Sequence, residues 1–304
     1  VIRACWKHGI IYGIAAYGSW GLFPLYFKAL AGVGPVEILA HRALWSFLLL
    51  AVLVALLGRW TELRRELQSG KLLLMLAAST LLIAVNWLVF IYAVASGQVL
   101  QSALAYFISP LVNVLLGMAF LRERLRPCQT LSMLLALAGV AVLAAFVGEA
   151  PWIALTLAIT FALYGLMRKI MPVDGLVSLT VETLLMLPFA LAWLGYLAAT
   201  RQEAPSSSGV LGLLLLTGPV TTVPLLFFGA AARQLRLSTL GILQYLSPTL
   251  QFLLAVVAFQ EPFSTAQVVS FGCIWAAIAL YTADSFRAAR QARLDLVEPF
   301  GADS

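Results

Sequence analysis

The sequence predicts an all-α polytopic membrane protein, with ten transmembrane helices arranged as two inverted five-helix repeats. Three observations carry this reading: the composition, the side on which the basic residues fall, and an internal repeat at constant offset. Of the 304 residues, 62% are hydrophobic and only 11% are charged. Soluble domains carry about 25% charged residues. Here the polar side chains are too few to cover a water-facing surface. The apolar residues also come in runs long enough to cross a bilayer, which takes about 20 residues per helix.

The spans run over about 9–30, 36–57, 72–95, 99–121, 128–146, 151–167, 176–199, 209–230, 238–259 and 266–284. The first is too long for the apolar core of a signal peptide and reads as a permanent helix. The connections are short, and several carry Gly or Pro, as in Gly32-Val33-Gly34-Pro35 and Gly148-Glu149-Ala150-Pro151. The sixth span is the shortest, and Arg168-Lys169 follows it at once. Residues 1–150 form the first repeat, 151–286 the second, and 287–304 a cytoplasmic tail.

The charge pattern tests the count. Alternate connections, beginning with the N-terminus, hold Arg3 and Lys7; Arg59, Arg64, Arg65 and Lys71; Arg122, Arg124 and Arg126; Arg168 and Lys169; Arg233 and Arg236; and Arg287, Arg290 and Arg293. The opposite loops hold only Arg201, and Lys28 and Arg42 lie within spans. Basic residues stay on the cytoplasmic side, so both termini are expected there, and one miscounted helix would spoil the asymmetry. The net charge of +6 therefore reflects topology and anionic lipid rather than nucleic acid. Cys5, Cys128 and Cys273 show neither metal spacing nor a disulfide framework. The only histidines are His8 and His41, and no phosphate-binding loop is present. No metal site and no cofactor is expected.

The repeat shows in matched segments at one offset. Ile108-Ser109-Pro110-Leu111 in the fourth span matches Leu246-Ser247-Pro248-Thr249 in the ninth, and the same offset of 138 residues relates Glu123 to Glu261 and Phe90 to Phe228. Five helices per half is an odd number, so the halves must be inverted. Arg122, Arg124 and Arg126 follow the fourth span, whereas Gln260–Ser264 after the ninth has no basic residue. Inverted repeats permit alternating access, each half adopting in turn the conformation of the other.

Longer stretches carry a family resemblance. Trp20-Gly21-Leu22-Phe23-Pro24-Leu25-Tyr26-Phe27-Lys28, Glu37-Ile38-Leu39-Ala40-His41-Arg42, Asn86-Trp87-Leu88, Tyr106-Phe107-Ile108-Ser109-Pro110 and Leu240-Gly241-Ile242-Leu243-Gln244-Tyr245 resemble the drug/metabolite transporter superfamily. Its five-helix unit is the EamA domain, and the likeness is to the RarD branch, from about Gly9 to Asp284. The resemblance implies ten helices in the inner membrane and permease or export activity on small metabolites. It also implies a central cavity bounded by helices 1–4 and 6–9, with helices 5 and 10 peripheral.

Candidate site residues follow from depth and polarity. Arg42 lies about seven residues into the second span, where a charge is costly unless paired or hydrated. It either meets a substrate group or is structural, snorkelling outward or pairing with Glu37; His41 is its neighbour. Glu182, about six residues into the seventh span, aligns with Arg42 in the repeat. It is either a proton-carrying carboxylate or a structural acid. Lys28, near the end of its helix, is expected to snorkel. Asn86, Asn113 and Gln251 are mid-span amides that serve either as interhelical hydrogen bonds or as cavity ligands. Trp20, Tyr106, Tyr164 and Tyr245 are candidates to line an amphipathic pocket. Pro110 and Pro248, at matching mid-helix sites, suit a pair of hinges. Gly9 with Gly13 marks close helix packing.

The function that follows is a secondary transporter, proton-coupled or facilitative, exporting small amphipathic metabolites or drug-like compounds. The alternatives are a membrane-embedded enzyme, which needs a compact nucleophile–base or metal set, and a lipid-linked flippase, which needs a lateral polar groove. No such catalytic set is evident, so an enzyme is not expected.

Overall fold

The computed structural model describes residues 2–30, 32–95, 99–145, 152–200, 208–254, 257 and 265–294. Among these the chain is helical throughout: α1 (Ile2–Gly21), α2 (Phe23–Lys28), α3 (Pro35–Leu56), α4 (Trp60–Gln68), α5 (Gly70–Ala95), α6 (Val99–Leu121), α7 (Pro127–Ala145), α8 (Trp152–Ile170), α9 (Gly175–Thr200), α10 (Ser208–Gln234), α11 (Leu237–Gln244), α12 (Leu246–Leu253) and α13 (Thr265–Leu294). Among the described residues eight segments are long and apolar enough to cross a membrane. The shorter apolar α7 and the α11–α12 pair complete a ten-span arrangement.

Local sequence explains the boundaries. Pro35 opens α3, where its missing N–H would have been unsatisfied anyway. Asp174 caps α9, its Oδ1 accepting from the Leu176 N–H at 2.9 Å. Gln129 reaches back to the Arg126 N–H at 3.0 Å, half of a capping box at the start of α7. Gly58, with φ of 65°, turns the chain out of α3 into the amphipathic surface helix α4. Arg122 takes a left-handed φ of 54° as the chain leaves α6, and the Glu123 N–H folds back to the Gly117 carbonyl at 3.0 Å.

Two expected spans are broken. The first bends at Leu22, between α1 and α2, and the ninth is divided at Tyr245. Pro248 lies in the first turn of α12, and its ring excludes the carbonyl four residues back, at Gln244. Its repeat partner Pro110 stays inside the continuous α6. The sixth span runs longer than expected, to Ile170, and so takes Arg168 into the helix. The last helix continues past residue 287 to Leu294.

Small residues let helices approach. A Cβ on Gly9 would meet Leu235 and Gln234 at 3.0 Å, and one on Gly13 would meet Leu243 at 2.9 Å, which seats α1 against α10 and α11. One core gathers around Tyr17, Tyr164 and Phe228; a second joins α6, α8 and α13 around Phe107, Tyr245 and Phe271. The outer surface is apolar instead of polar: Phe189 is 79% exposed, Leu56 78% and Leu74 71%. That belt suits lipid, with the backbone satisfied inside the helices. α7 and α13 pack on each other and lie outside the cavity described next.

Candidate functional site

A cavity of about 510 Å³ lies between the two halves. Its walls come from α1, α2, α3, α5, α6, α8, α10, α11 and α12; neither α9, α7 nor α13 contributes. It reaches Leu30, Val33 and Pro35, at the turn between α2 and α3. That turn is at the end opposite the basic connections. Among the described lining residues Arg42 is the one with a charge, and the rings of Trp20, Phe27, Trp87, Phe90 and Phe161 also line the cavity.

Arg42 is held from three sides. Its Nε donates to Thr221 Oγ1 of α10 at 2.9 Å. Its guanidinium carbon lies 4.5 Å from the Trp87 ring centre and 5.8 Å from that of Phe27, a cation–π arrangement on both. Arg42 therefore faces the cavity rather than Glu37.

The sequence candidates divide into two groups. Arg42, Trp20, Asn86, Tyr106 and Gln251 all line the cavity. Asn86 Nδ2 is fixed by the Leu157 carbonyl at 2.8 Å and Thr160 Oγ1 at 2.9 Å. Gln251 Nε2 donates to the Trp20 carbonyl at 3.3 Å. His41, Asn113, Tyr164, Glu182 and Tyr245 lie elsewhere. His41 Nδ1 accepts from Trp45 Nε1 at 3.1 Å. Tyr245 is buried and donates to the Phe107 carbonyl at 3.2 Å, across the repeat offset of 138 residues. The side chain of Lys28, and Glu261 as a whole, fall outside the described residues.

Glu182 belongs to a buried cluster of its own. Its Oε1 is 3.6 Å from Arg168 Nη1, both side chains being 2% exposed. Ser79 donates to it at 2.8 Å and Tyr164 at 3.2 Å. Arg168 also donates to Ser178 Oγ. Arg42 and Glu182 are thus not partners.

The basic end is shut by polar contacts between elements. Glu123, after α6, accepts from the Leu237 N–H at 2.7 Å, the Ser238 N–H at 3.1 Å and Ser238 Oγ at 2.7 Å, so its carboxylate occupies the positive end of α11. Deeper in, Asn113 Nδ2 donates to Gln244 Oε1 at 2.8 Å. Lys169 reaches the carbonyls of Ala232, at 3.2 Å, and Leu235. Arg59 joins Asp174 at 2.7 Å and also pairs with Glu62.

Thr221, Trp87, Gln244, Arg168 and Glu123 were not among the sequence candidates. Gln244 could have been found, because the offset of 138 pairs it with Tyr106. Arg168 was hidden by the expected helix end, which left it in a basic loop.

A ten-span bundle, apolar outside and enclosing a cavity whose described lining carries one charge, is the architecture of a membrane transporter. The chain belongs to the EamA-like transporter family, whose profile matches residues 7–145. It is 47% identical over 290 residues to an uncharacterized transporter of Pseudomonas aeruginosa, covering 94% of this chain and 96% of that one. It is 43% identical over 287 residues to protein RarD of Escherichia coli, covering 94% and 97%. It is 33% identical over 293 residues to the chloramphenicol-sensitive protein RarD of Pseudomonas aeruginosa, covering 93% and 96%. A protein of known crystal structure, 21% identical, superposes with a TM-score of 0.70 over 93% of this chain and 99% of that one; that likeness concerns the fold.

Proposed function

We propose that the protein is an inner-membrane secondary transporter that exports small amphipathic metabolites by alternating access, with both termini in the cytoplasm. The observation that carries this is the one-sided reach of the cavity: its described lining extends to Leu30, Val33 and Pro35, opposite the basic connections, whereas Asn113–Gln244 and Glu123 on α11 bridge the basic end. With basic loops inside, this is an outward-facing state.

The repeat supplies the other state. The offset of 138 relates Asn113 to Gln251 and Gln244 to Tyr106. The inversion-related counterpart of the closed pair Asn113–Gln244 is therefore Tyr106 with Gln251, and both of these line the open cavity. Exchange of conformations between the halves would part the first pair and join the second.

Cross-linking tests this. In a background with Cys5, Cys128 and Cys273 replaced by serine, Asn113→Cys/Gln244→Cys and Tyr106→Cys/Gln251→Cys are oxidised in native membranes. Each pair is expected to cross-link in a different fraction of molecules. The first lock should leave a cysteine at Ser247 open to an impermeant maleimide from outside; the second should shield it. A Tyr106/Gln251 pair that never cross-links in folded protein would refute the exchange.

A further inference from the structure

We infer that the cargo is an organic monoanion, a carboxylate on an aromatic or otherwise apolar body, and that its carboxylate is the counter-ion Arg42 lacks among the described residues. This rests on the reading of the cavity as the transport site.

The two halves handle the same position differently. α3 begins at Pro35 and α9 at Gly175, which sets Arg42 level with Glu182. Trp20-Gly21-Leu22 and Tyr164-Gly165-Leu166 are likewise equivalent, which sets Pro24 level with Arg168. In the second half the charge on Glu182 is neutralised internally by Arg168. In the first half the corresponding place is a proline, and among the described residues no carboxylate lies within ion-pair distance of Arg42.

A guanidinium without a counter-charge at membrane depth is expensive. Thr221 and the rings of Trp87 and Phe27 orient it but bring no negative charge. Because Thr221 takes Nε, the edge left over is the Nη1/Nη2 pair, whose two parallel donors match the two oxygens of a carboxylate. A single cation in the lining matches a single negative charge. Trp20, Phe90 and Phe161 offer faces for an apolar or aromatic body, and about 510 Å³ suits a solute of drug-like size. Glu182, locked in its own pair, does not compete for Arg42.

The test is thermal unfolding and ligand titration of the purified protein with three probes that share one ring system: indole-3-acetate, the neutral indole-3-acetamide and cationic tryptamine. Benzoate and octanoate vary the body, and acetate and inorganic phosphate supply anions without one. Indole-3-acetate should raise the unfolding midpoint, and the amide, the amine, acetate and phosphate should not. Arg42→Gln should weaken indole-3-acetate binding about 30-fold, or ~2 kcal/mol. Arg42→Lys, which keeps the charge but not the fork, should fall between, and Trp20→Ala should weaken indole-3-acetate, benzoate and octanoate. If acid and amide bind alike and Trp20→Ala weakens both, the anion assignment fails while the transport cavity stands. If carboxylates bind and neither Arg42→Gln nor Trp20→Ala weakens them, they bind outside the cavity and the assignment fails. Silence from every carboxylate also overturns it, whatever the cross-linking shows.

Discussion

Glu182 offers the sharpest test of how buried charge is managed in this bundle. Glu182→Ala leaves the Arg168 guanidinium 2% exposed, with Ser178 Oγ and the Gly175 carbonyl at 3.4 Å as its remaining acceptors. Its Nε already has no partner. At 3.6 Å the lost attraction is about 5 kcal/mol with an effective dielectric constant of about 20. Breaking one side of such a pair costs about 3–5 kcal/mol. Arg168→Ala should cost a similar amount, by stranding the carboxylate against Ser79 and Tyr164. Removing both charges in Glu182→Leu/Arg168→Met should recover most of the loss, because neither charge is then stranded. The assay is equilibrium unfolding, in one detergent, of wild type, Glu182→Leu, Arg168→Met and the double variant, read as a double-mutant cycle, with a coupling of about 3 kcal/mol expected. Additive losses would refute the structural pair. The same set judges Glu182 as a proton carrier. A carrier should tolerate Glu182→Gln without loss of stability, while transport loses its pH dependence; a structural pair should lose stability in that variant.

Three further outcomes follow. Burial, then the charges of Glu62 and Asp174, push the Glu66 carboxyl on α4 up to about 7. The native protein thus holds a proton that the unfolded chain, with an ordinary value of 4.5, has released, so stability is fullest below about 4.5 and falls by about 1–3 kcal/mol as pH rises to about 7; Glu66→Gln should flatten that slope in unfolding curves taken across the window. A Cβ on Gly218 would sit 2.8 Å from the Trp45 backbone, so Gly218→Ala should force α3 from α10 at about 1–3 kcal/mol and loosen Arg42 from Thr221, whereas Gly212→Ala, with nothing within 4 Å, should not lower the unfolding midpoint. Arg122→Gly relieves a left-handed φ of 54° and should stabilise by about 1 kcal/mol, seen as a higher midpoint in the same unfolding assay.

Composition and charge made the ten-span fold legible, because lipid imposes length and sidedness directly on sequence. The breaks were harder to read. Pro110 and Pro248 are identical residues at repeat-related positions, yet only the second divides a span. At the intact site Gly241 lets α11 lie against the Pro110 carbonyl, where a Cβ would come within 2.7 Å. Half of the candidate residues reach the cavity, since depth in a span fixes the level of a side chain but not its azimuth. Asn113 and Gln251 are repeat partners, yet only Gln251 lines the open space, because in one state the inverted halves cannot present equivalent faces. Glu182 looked solitary because its partner was read as belonging to a loop.

The bond from Tyr245 to the Phe107 carbonyl joins residues that the repeat makes equivalent. Exchanging the halves would require a hydroxyl at position 107 donating to the carbonyl of residue 245, and phenylalanine has none. A net hydrogen bond contributes about 1 kcal/mol, a ratio of about fivefold. Through this term alone an empty carrier would rest outward-facing about five times more often than inward-facing. Tyr245→Phe should level the two populations.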